Sequence, residues 1–292
     1  MKKNNTKLTR EEFQNKRQLI LSNAKNQIDN IITNTKKQIL EISKKIEDGV
    51  QLAEINAIAI EKELLEKQKI SEDNNISFTQ ELLRKSVHFL SLSMPIGYIF
   101  MTKETILLIL IPLMFLLIIL DISTKRISFL RSLYLKLFGP MLRKHEINSK
   151  QVFLNGASWV LISAVLTIFI FPKIIAIVAL SVLIISDVFA ALVGRKFGKR
   201  NFLDIKNKSW EGSIAFFVSA LLVSIVYGFI FDLSYFYFII SFFASISAAM
   251  GEALAKEVLH SDDNLTIPIS FGITMWFGNT FLSYFYNISF II

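Results

Sequence analysis

SDVFAALVGRKFGKRNFLDIKNKSWEGS, residues 186–213, decides the fold. An apolar segment carrying one acid, Asp187, opens into a loop with Arg195, Lys196, Lys199, Arg200, Lys206 and Lys208. A second apolar segment starts directly after Glu211-Gly212. Two apolar runs joined by a basic loop are what two membrane helices look like where they turn on one face of a bilayer. The loop also has a chemistry. Glycines let backbone amides approach an anion, lysine and arginine neutralise it, and a carboxylate can hold the metal that accompanies it. The stretch reads as a polyphosphate site at a membrane surface.

The rest of the chain agrees with a membrane setting. Its 292 residues are 52% hydrophobic and include 26 phenylalanines, with a mean hydropathy of +0.48. Several apolar stretches reach the roughly 20 residues that cross a bilayer. The expected fold is all-α, a polytopic membrane protein of about seven spans: 86–101, 104–121, 152–171, 173–193, 212–231, 235–256 and 266–290. The absence of cysteine excludes disulfides, thiolate zinc sites and cysteine nucleophiles. The net charge of +8 lies largely between apolar segments, which points to an anionic membrane face and away from nucleic acid. Basic residues crowd the loops 125–150 and 195–208, whereas the opposite connections are short. The positive-inside rule then puts the N-terminus and the polyphosphate site on the cytoplasmic face and the C-terminus on the other side. Residues 1–80 hold no apolar core of a signal peptide, so no cleavable leader is expected.

Two regions are expected: a soluble helical arm over 1–75 and a multi-span catalytic domain over 76–292. In the arm, Ile28, Ile32, Thr35, Ile39, Ile42 and Ile46 are spaced 4-3-4-3-4, a coiled-coil-like seam. After Gly49 the stripe shifts to Val50, Ala53, Ala57, Ile60 and Leu64, a break or a stutter in one long helix. Such a stripe packs on itself, lies on the membrane face, or joins copies of the chain. SEDNN, residues 71–75, reads as the linker.

Three constellations carry chemistry. In ELLRKSVHF, residues 81–89, helical spacing puts Glu81, Arg84, Lys85 and His88 within reach of one another, which serves either an interfacial anchor or an acid–base site. In the opening stretch, Asp187 precedes Gly194, Arg195, Gly198 and Lys199, and Lys208-Ser209 leads to Glu211-Gly212 at the entrance of the next span; Ser209 also suits a helix cap. In GEALAKEVLHSDDNLTIPIS, residues 251–270, Glu252 ends an apolar run, and Asp262, Asp263 and Asn264 form a hard-oxygen cluster suited to magnesium, or a plain turn. Acids at the ends of apolar segments are costly to bury and mark functional sites. All three constellations fall near the same face.

Taken in order, these pieces resemble the CTP-dependent polyprenol kinase family, which includes dolichol kinase, phytol kinase and a CTP-using diacylglycerol kinase. The resemblance runs from about residue 81 to 270 through E-LLRK-SVH, Asp121 with Arg126, D-VFAALVGRKFGK, KSWEGS, and Glu252 followed by DDNLTIP. The spacing from Asp121 to Arg126 departs from the family pattern. The resemblance implies transfer of the γ-phosphate of CTP to the hydroxyl of a membrane lipid alcohol, with Mg²⁺ or another divalent cation. It assigns nucleotide binding to Gly194, Arg195, Gly198, Lys199, Lys208, Ser209 and Gly212, and metal binding to Asp187, Glu252, Asp262 and Asp263. His88, Asp187, Lys208 and Glu211 become the catalytic candidates, with Glu81, Arg84, Lys85 and Asn264 beside them. The expected partners are the bilayer, the lipid alcohol and CTP, with self-association through the arm. A second resemblance, to phosphatidate cytidylyltransferase, shares the D-A-GR-FGK and K-S-WEG pieces but lacks that family's C-terminal signature. A transporter or scaffold is the third reading, weakened by the absence of a visible internal repeat.

Overall fold

The computed structural model describes residues 10–70, 78–139, 154–205, 208–255, 259 and 261–290. Among these residues there are ten α-helices and no β-strand: α1 (Arg10–Ile70), α2 (Phe78–Leu90), α3 (Ser93–Phe100), α4 (Lys103–Arg126), α5 (Ser128–Phe138), α6 (Gly156–Ile170), α7 (Lys173–Phe197), α8 (Trp210–Ile230), α9 (Tyr235–Leu254) and α10 (Asp263–Tyr286). The chain divides into two compact units, Met1–Ile58 and Ala59–Ile292. The first consists of the larger part of α1. That helix runs through Gly49 without interruption, so the change of register there is a stutter and not a break. The expected linker at 71–75 lies outside the described residues.

Among the described residues of the second unit, five helices are long and apolar enough to cross a membrane by length and composition: α4, α7, α8, α9 and α10. The seven expected spans are corrected at two places. The stretch expected at 86–101 divides at Ser91–Leu92 into α2 and the eight-residue α3, because Ser91 and Leu92 bond back to His88 and Phe89 in tight three-residue turns. The stretch expected at 152–171 supplies the 15-residue α6.

Local chemistry starts these helices where the sequence changes character. Thr102, Asn155, Ser209 and Asp262 each cap a helix by accepting from a backbone amide two or three residues on. Helix α7 is the axis of the unit. Ile175 through Ile184 are buried without a gap, so no polar face interrupts it there. Where lipid already solvates apolar side chains, close packing is what holds helices together. Small residues permit it: Phe171 lies where a side chain on Gly272 would stand, and Tyr237 and Phe238 fill the space over Gly228. At one end of the bundle, Lys173 Nζ donates to Ile99 O and Met101 O, and Lys103 Nζ donates to Phe169 O, closing the carboxyl ends of α3 and α6. The ends of α7 and α9 and the starts of α8 and α10 come together at the opposite end, which carries Asp187, Lys208, Glu252 and Asp263.

Candidate active site

Helices α2 and α7 supply one half of the charged end. One helical turn separates Lys85 and His88, so both reach the same neighbour. Lys85 is 5% exposed, and its ammonium donates to Asp187 Oδ2. His88 Nε2 lies 3.5 Å from the same oxygen, is buried, and makes no hydrogen bond among the described residues. Arg84, on the same helix, adds a second positive charge in the field of His88. Glu81 lies on α2, but its side chain is outside the described residues.

The loop from Gly198 to Ser209 supplies the other half. It is folded back on itself: Phe202 N donates to Lys208 O at 2.9 Å, and Trp210 N to Arg200 O at 3.1 Å. The Phe202 and Trp210 rings meet edge to face at 4.4 Å. Phe202 and Ile205 then pack on Ala253 and Leu254 at the end of α9. That small apolar cluster fastens the loop beside the acid of α9, and Lys208 Nζ donates to Glu252 Oε1. Asp263 Oδ2, from the first turn of α10, lies 3.8 Å from the same ammonium. Burial works against the charge on Lys208, but the Glu252 and Asp263 carboxylates outweigh it and hold the ammonium above the ordinary lysine pKa.

The two halves sense each other. Lys208 stabilises the Asp187 carboxylate, and Asp187 and Asp263 both repel charge on Glu252. Residues spread over nearly 180 positions of sequence, from Lys85 to Asp263, thus form one ionic cluster on four elements and a loop. Bringing such groups out of water is costly unless each meets a partner, and here each buried charge does.

The glycines of the loop have a packing duty. A side-chain carbon on Gly212 would stand 3.1 Å from Ala190 O and 3.2 Å from Gly194 Cα. One on Gly198 would collide with Gly194 O and with Ser209. Gly194, Gly198 and Gly212 therefore let α7 and α8 close around Ser209, whose Oγ accepts from Gly212 N at 3.1 Å. Glu211 turns to the loop, where its carboxylate takes the backbone amides of Lys199 and Arg200; its Oε2 is buried with no partner among the described residues. Arg195 and Lys199 are exposed at the end of α7. Asp262 caps α10, its Oδ1 accepting from Asn264 N at 3.0 Å and Asn264 Nδ2 at 2.7 Å.

Sequence reading missed two features. Phe202 and Ile205 looked like loop residues, and nothing in their spacing marks them as anchors. Asn155 and Ser158 went unremarked, yet they satisfy Asp121. Its Oδ2 accepts from Asn155 N at 2.9 Å and Ser158 Oγ at 2.7 Å, and its Oδ1 from Asn155 Nδ2 at 2.6 Å. This network ties the end of α4 to the start of α6. An acid 34 residues before a capping Asn–Gly pair was the available signal.

A divalent cation fits the donor set. Among the described residues no three carboxylate or imidazole groups form a ready cage. Magnesium does not require one, because it is commonly held by one or two carboxylates and completed by water and substrate phosphate. Glu252 and Asp263 already face a single cation, the Lys208 ammonium.

Comparison with known proteins agrees with this chemistry. The sequence profile described as the cytidylyltransferase family matches residues 55–255. An uncharacterised protein of Rickettsia prowazekii (strain Madrid E) is 34% identical over 195 residues, covering 64% of this chain and 89% of that protein. CTP-dependent diacylglycerol kinase 1 of Saccharomyces cerevisiae is 29% identical over 171 residues, 52% of this chain and 57% of that one. A probable chloroplastic phytol kinase of Triticum aestivum is 36% identical over 119 residues, 36% of this chain and 38% of that one. The chain thus spans about half the length, or less, of these two named kinases. No solved structure matches.

Proposed function

Because this chain belongs to the cytidylyltransferase family, and its named relatives include a CTP-dependent diacylglycerol kinase and a probable phytol kinase, we propose that it transfers the γ-phosphate of CTP to the hydroxyl of a membrane lipid alcohol. The observation that carries the reading is the convergence of Lys85, His88 and Asp187 with Lys208, Glu252 and Asp263 at one end of a bundle of apolar helices. Phosphoryl transfer needs positioning and charge neutralisation more than covalent work by the protein. In this reading Lys208 and Lys85 exchange their carboxylates for phosphate oxygens as CTP binds, and the exposed Arg195 and Lys199 draw the nucleotide in. Asp187, Glu252 and Asp263 would hold a divalent cation, which would supply further neutralisation of the triphosphate. Asp262 and Ser209 keep the helix starts in place, and Glu211 fixes the loop through its amides.

The acceptor hydroxyl approaches between helices with its tail still in the bilayer. Its oxygen attacks the γ-phosphorus as the bond to the β–γ bridging oxygen breaks, leaving CDP. The proton goes to His88 Nε2, the buried nitrogen without a hydrogen bond. In this reading the positive-inside rule, applied to the basic loops, supports a cytoplasmic position for this end and for the N-terminus.

A second reading, phosphatidate cytidylyltransferase, is favoured by the description of the matching profile and by Trp210 in the WEG run. The products in solution separate the two. Purified protein given CTP, Mg²⁺, a panel of lipid alcohols and phosphatidate is expected to release CDP in step with a lipid monophosphate. Pyrophosphate released with a CDP-lipid would replace the kinase reading by the second one.

A further inference from the structure

The seam on α1 lies ahead of the region that matches the family, which begins at residue 55, and the reaction above has no use for it. Ile28, Ile32, Ile39, Ile42 and Ile46 are between 46% and 62% exposed. We propose that this seam is the core of a parallel three-stranded coiled coil made by three copies of the chain.

The identity of the occupant comes from the spacing and the residue types. A straight α-helix repeats every 3.6 residues, so a stripe that keeps to 3.5 stays in line only against another helix that supercoils with it. In heptad terms Ile32, Ile39 and Ile46 stand at a, and Ile28, Thr35 and Ile42 at d. Isoleucine at both a and d packs poorly between two strands and well between three. Ile31, at the flanking g position and 65% exposed, widens the apolar face toward what a third strand covers. Thr35 does not spoil the core. Its Oγ1 already donates to Ile31 O at 2.8 Å, so burial of its methyl leaves no orphaned hydroxyl. Val50 and Ala53 carry the stripe on past the stutter.

Charge argues against the other occupants. Residues 10–58 hold eight Lys and Arg against seven Asp and Glu. A nearly neutral helix has little attraction for an anionic lipid surface or for nucleic acid. Between parallel strands the g-to-e pairs are Ile31 with Lys36 and Gln38 with Ser43, so no like charges oppose one another. Copies anchored in one bilayer stand the same way up, which sets the strands parallel.

The test is the mass of the full chain in detergent, measured by light scattering with the detergent contribution subtracted. Three chains of 33.4 kDa are expected, about 100 kDa. Ile32→Asp with Ile39→Asp is expected to give single chains with turnover per chain unchanged. Ile28→Leu with Ile42→Leu leaves isoleucine at a and leucine at d, and is expected to shift the assembly to two chains without loss of helix. A wild-type mass of one or two chains would overturn the proposal, as would a mass that neither pair of substitutions alters. The chain has no native cysteine, so an Ile39→Cys variant takes a single fluorophore. Quenching of that label by a nitroxide lipid in vesicles would assign the stripe to the bilayer and also overturn it.

Discussion

Replacing Lys208 by Met separates the structural duty of the charged end from its catalytic one. The substitution removes the ammonium from Glu252, which is 5% exposed, and from Asp263, which lies 3.8 Å from that ammonium. A carboxylate left buried without its partner costs about 3–5 kcal/mol. The Lys208 side chain is 20% exposed, so the lower end, about 3 kcal/mol, applies. For a unit of this size that lowers Tm by about 6–12 °C. The double variant Lys208→Met, Glu252→Gln removes both charges and is expected to melt within about 3 °C of the wild type, because a neutral pair of similar volume replaces an ion pair at little cost. Its turnover stays down by at least about 10²-fold, since the cation that meets the developing phosphate charge is gone. The raised pKa of Lys208 gives the sign of the pH dependence. Its contribution to stability is complete below the ordinary lysine value of about 10.4 and is lost only as pH rises through the higher folded value, so the single-variant deficit in Tm is flat from about pH 6 to 9. Thermal unfolding by tryptophan fluorescence and CTP turnover on the same preparation read both quantities. A double variant that recovers turnover along with stability would show that the pair serves only the fold.

Three further outcomes follow from the geometry. His88→Gln is expected to lower kcat by about 10²–10⁴-fold with the KM for CTP unchanged, because it removes a proton acceptor and no phosphate contact; a KM effect alone would place His88 at the nucleotide instead. Gly212→Ala pushes a methyl against Ala190 O and Gly194, so a loss of about 1–3 kcal/mol is expected in the denaturation midpoint, and a silent substitution would contradict the close approach of α7 and α8. Asp121→Ala orphans donors on Asn155 and Ser158, costing about 2–4 kcal/mol, and kcat per folded molecule is expected to stay within about threefold; a selective loss of turnover at unchanged stability would move Asp121 into the active site.

The fold class could be read because bilayer length and apolar runs are one-dimensional: α7, α8 and α9 start and stop within a few residues of where charge and turn residues put them. The span around 86–101 could not be read as two helices, since the break at Ser91–Leu92 depends on backbone bonds that no residue there advertises. At the site, spacing led to the candidate residue types and to the expectation that they share a face. It did not supply the partners, because the pairing of Lys85 with Asp187 and of Lys208 with Glu252 crosses 102 and 44 positions. The glycines were legible as a need for closeness, but whether to an anion or to a neighbouring helix was a matter of packing, and α7 and α8 use that closeness for each other. Glu211 was visible as a charge at a span entrance, while its hold on the amides of Lys199 and Arg200 follows from how the loop folds back.

The most direct measurement gives the purified protein CTP labelled at the α- or the γ-phosphate, with Mg²⁺ and a lipid alcohol, and follows the label into the organic phase. Label from the γ-position in a lipid monophosphate, absent when Asp187→Asn replaces the wild type, is the expected result. Label from the α-position in a CDP-lipid, or γ-transfer undiminished by Asp187→Asn, would contradict phosphoryl transfer at this cluster.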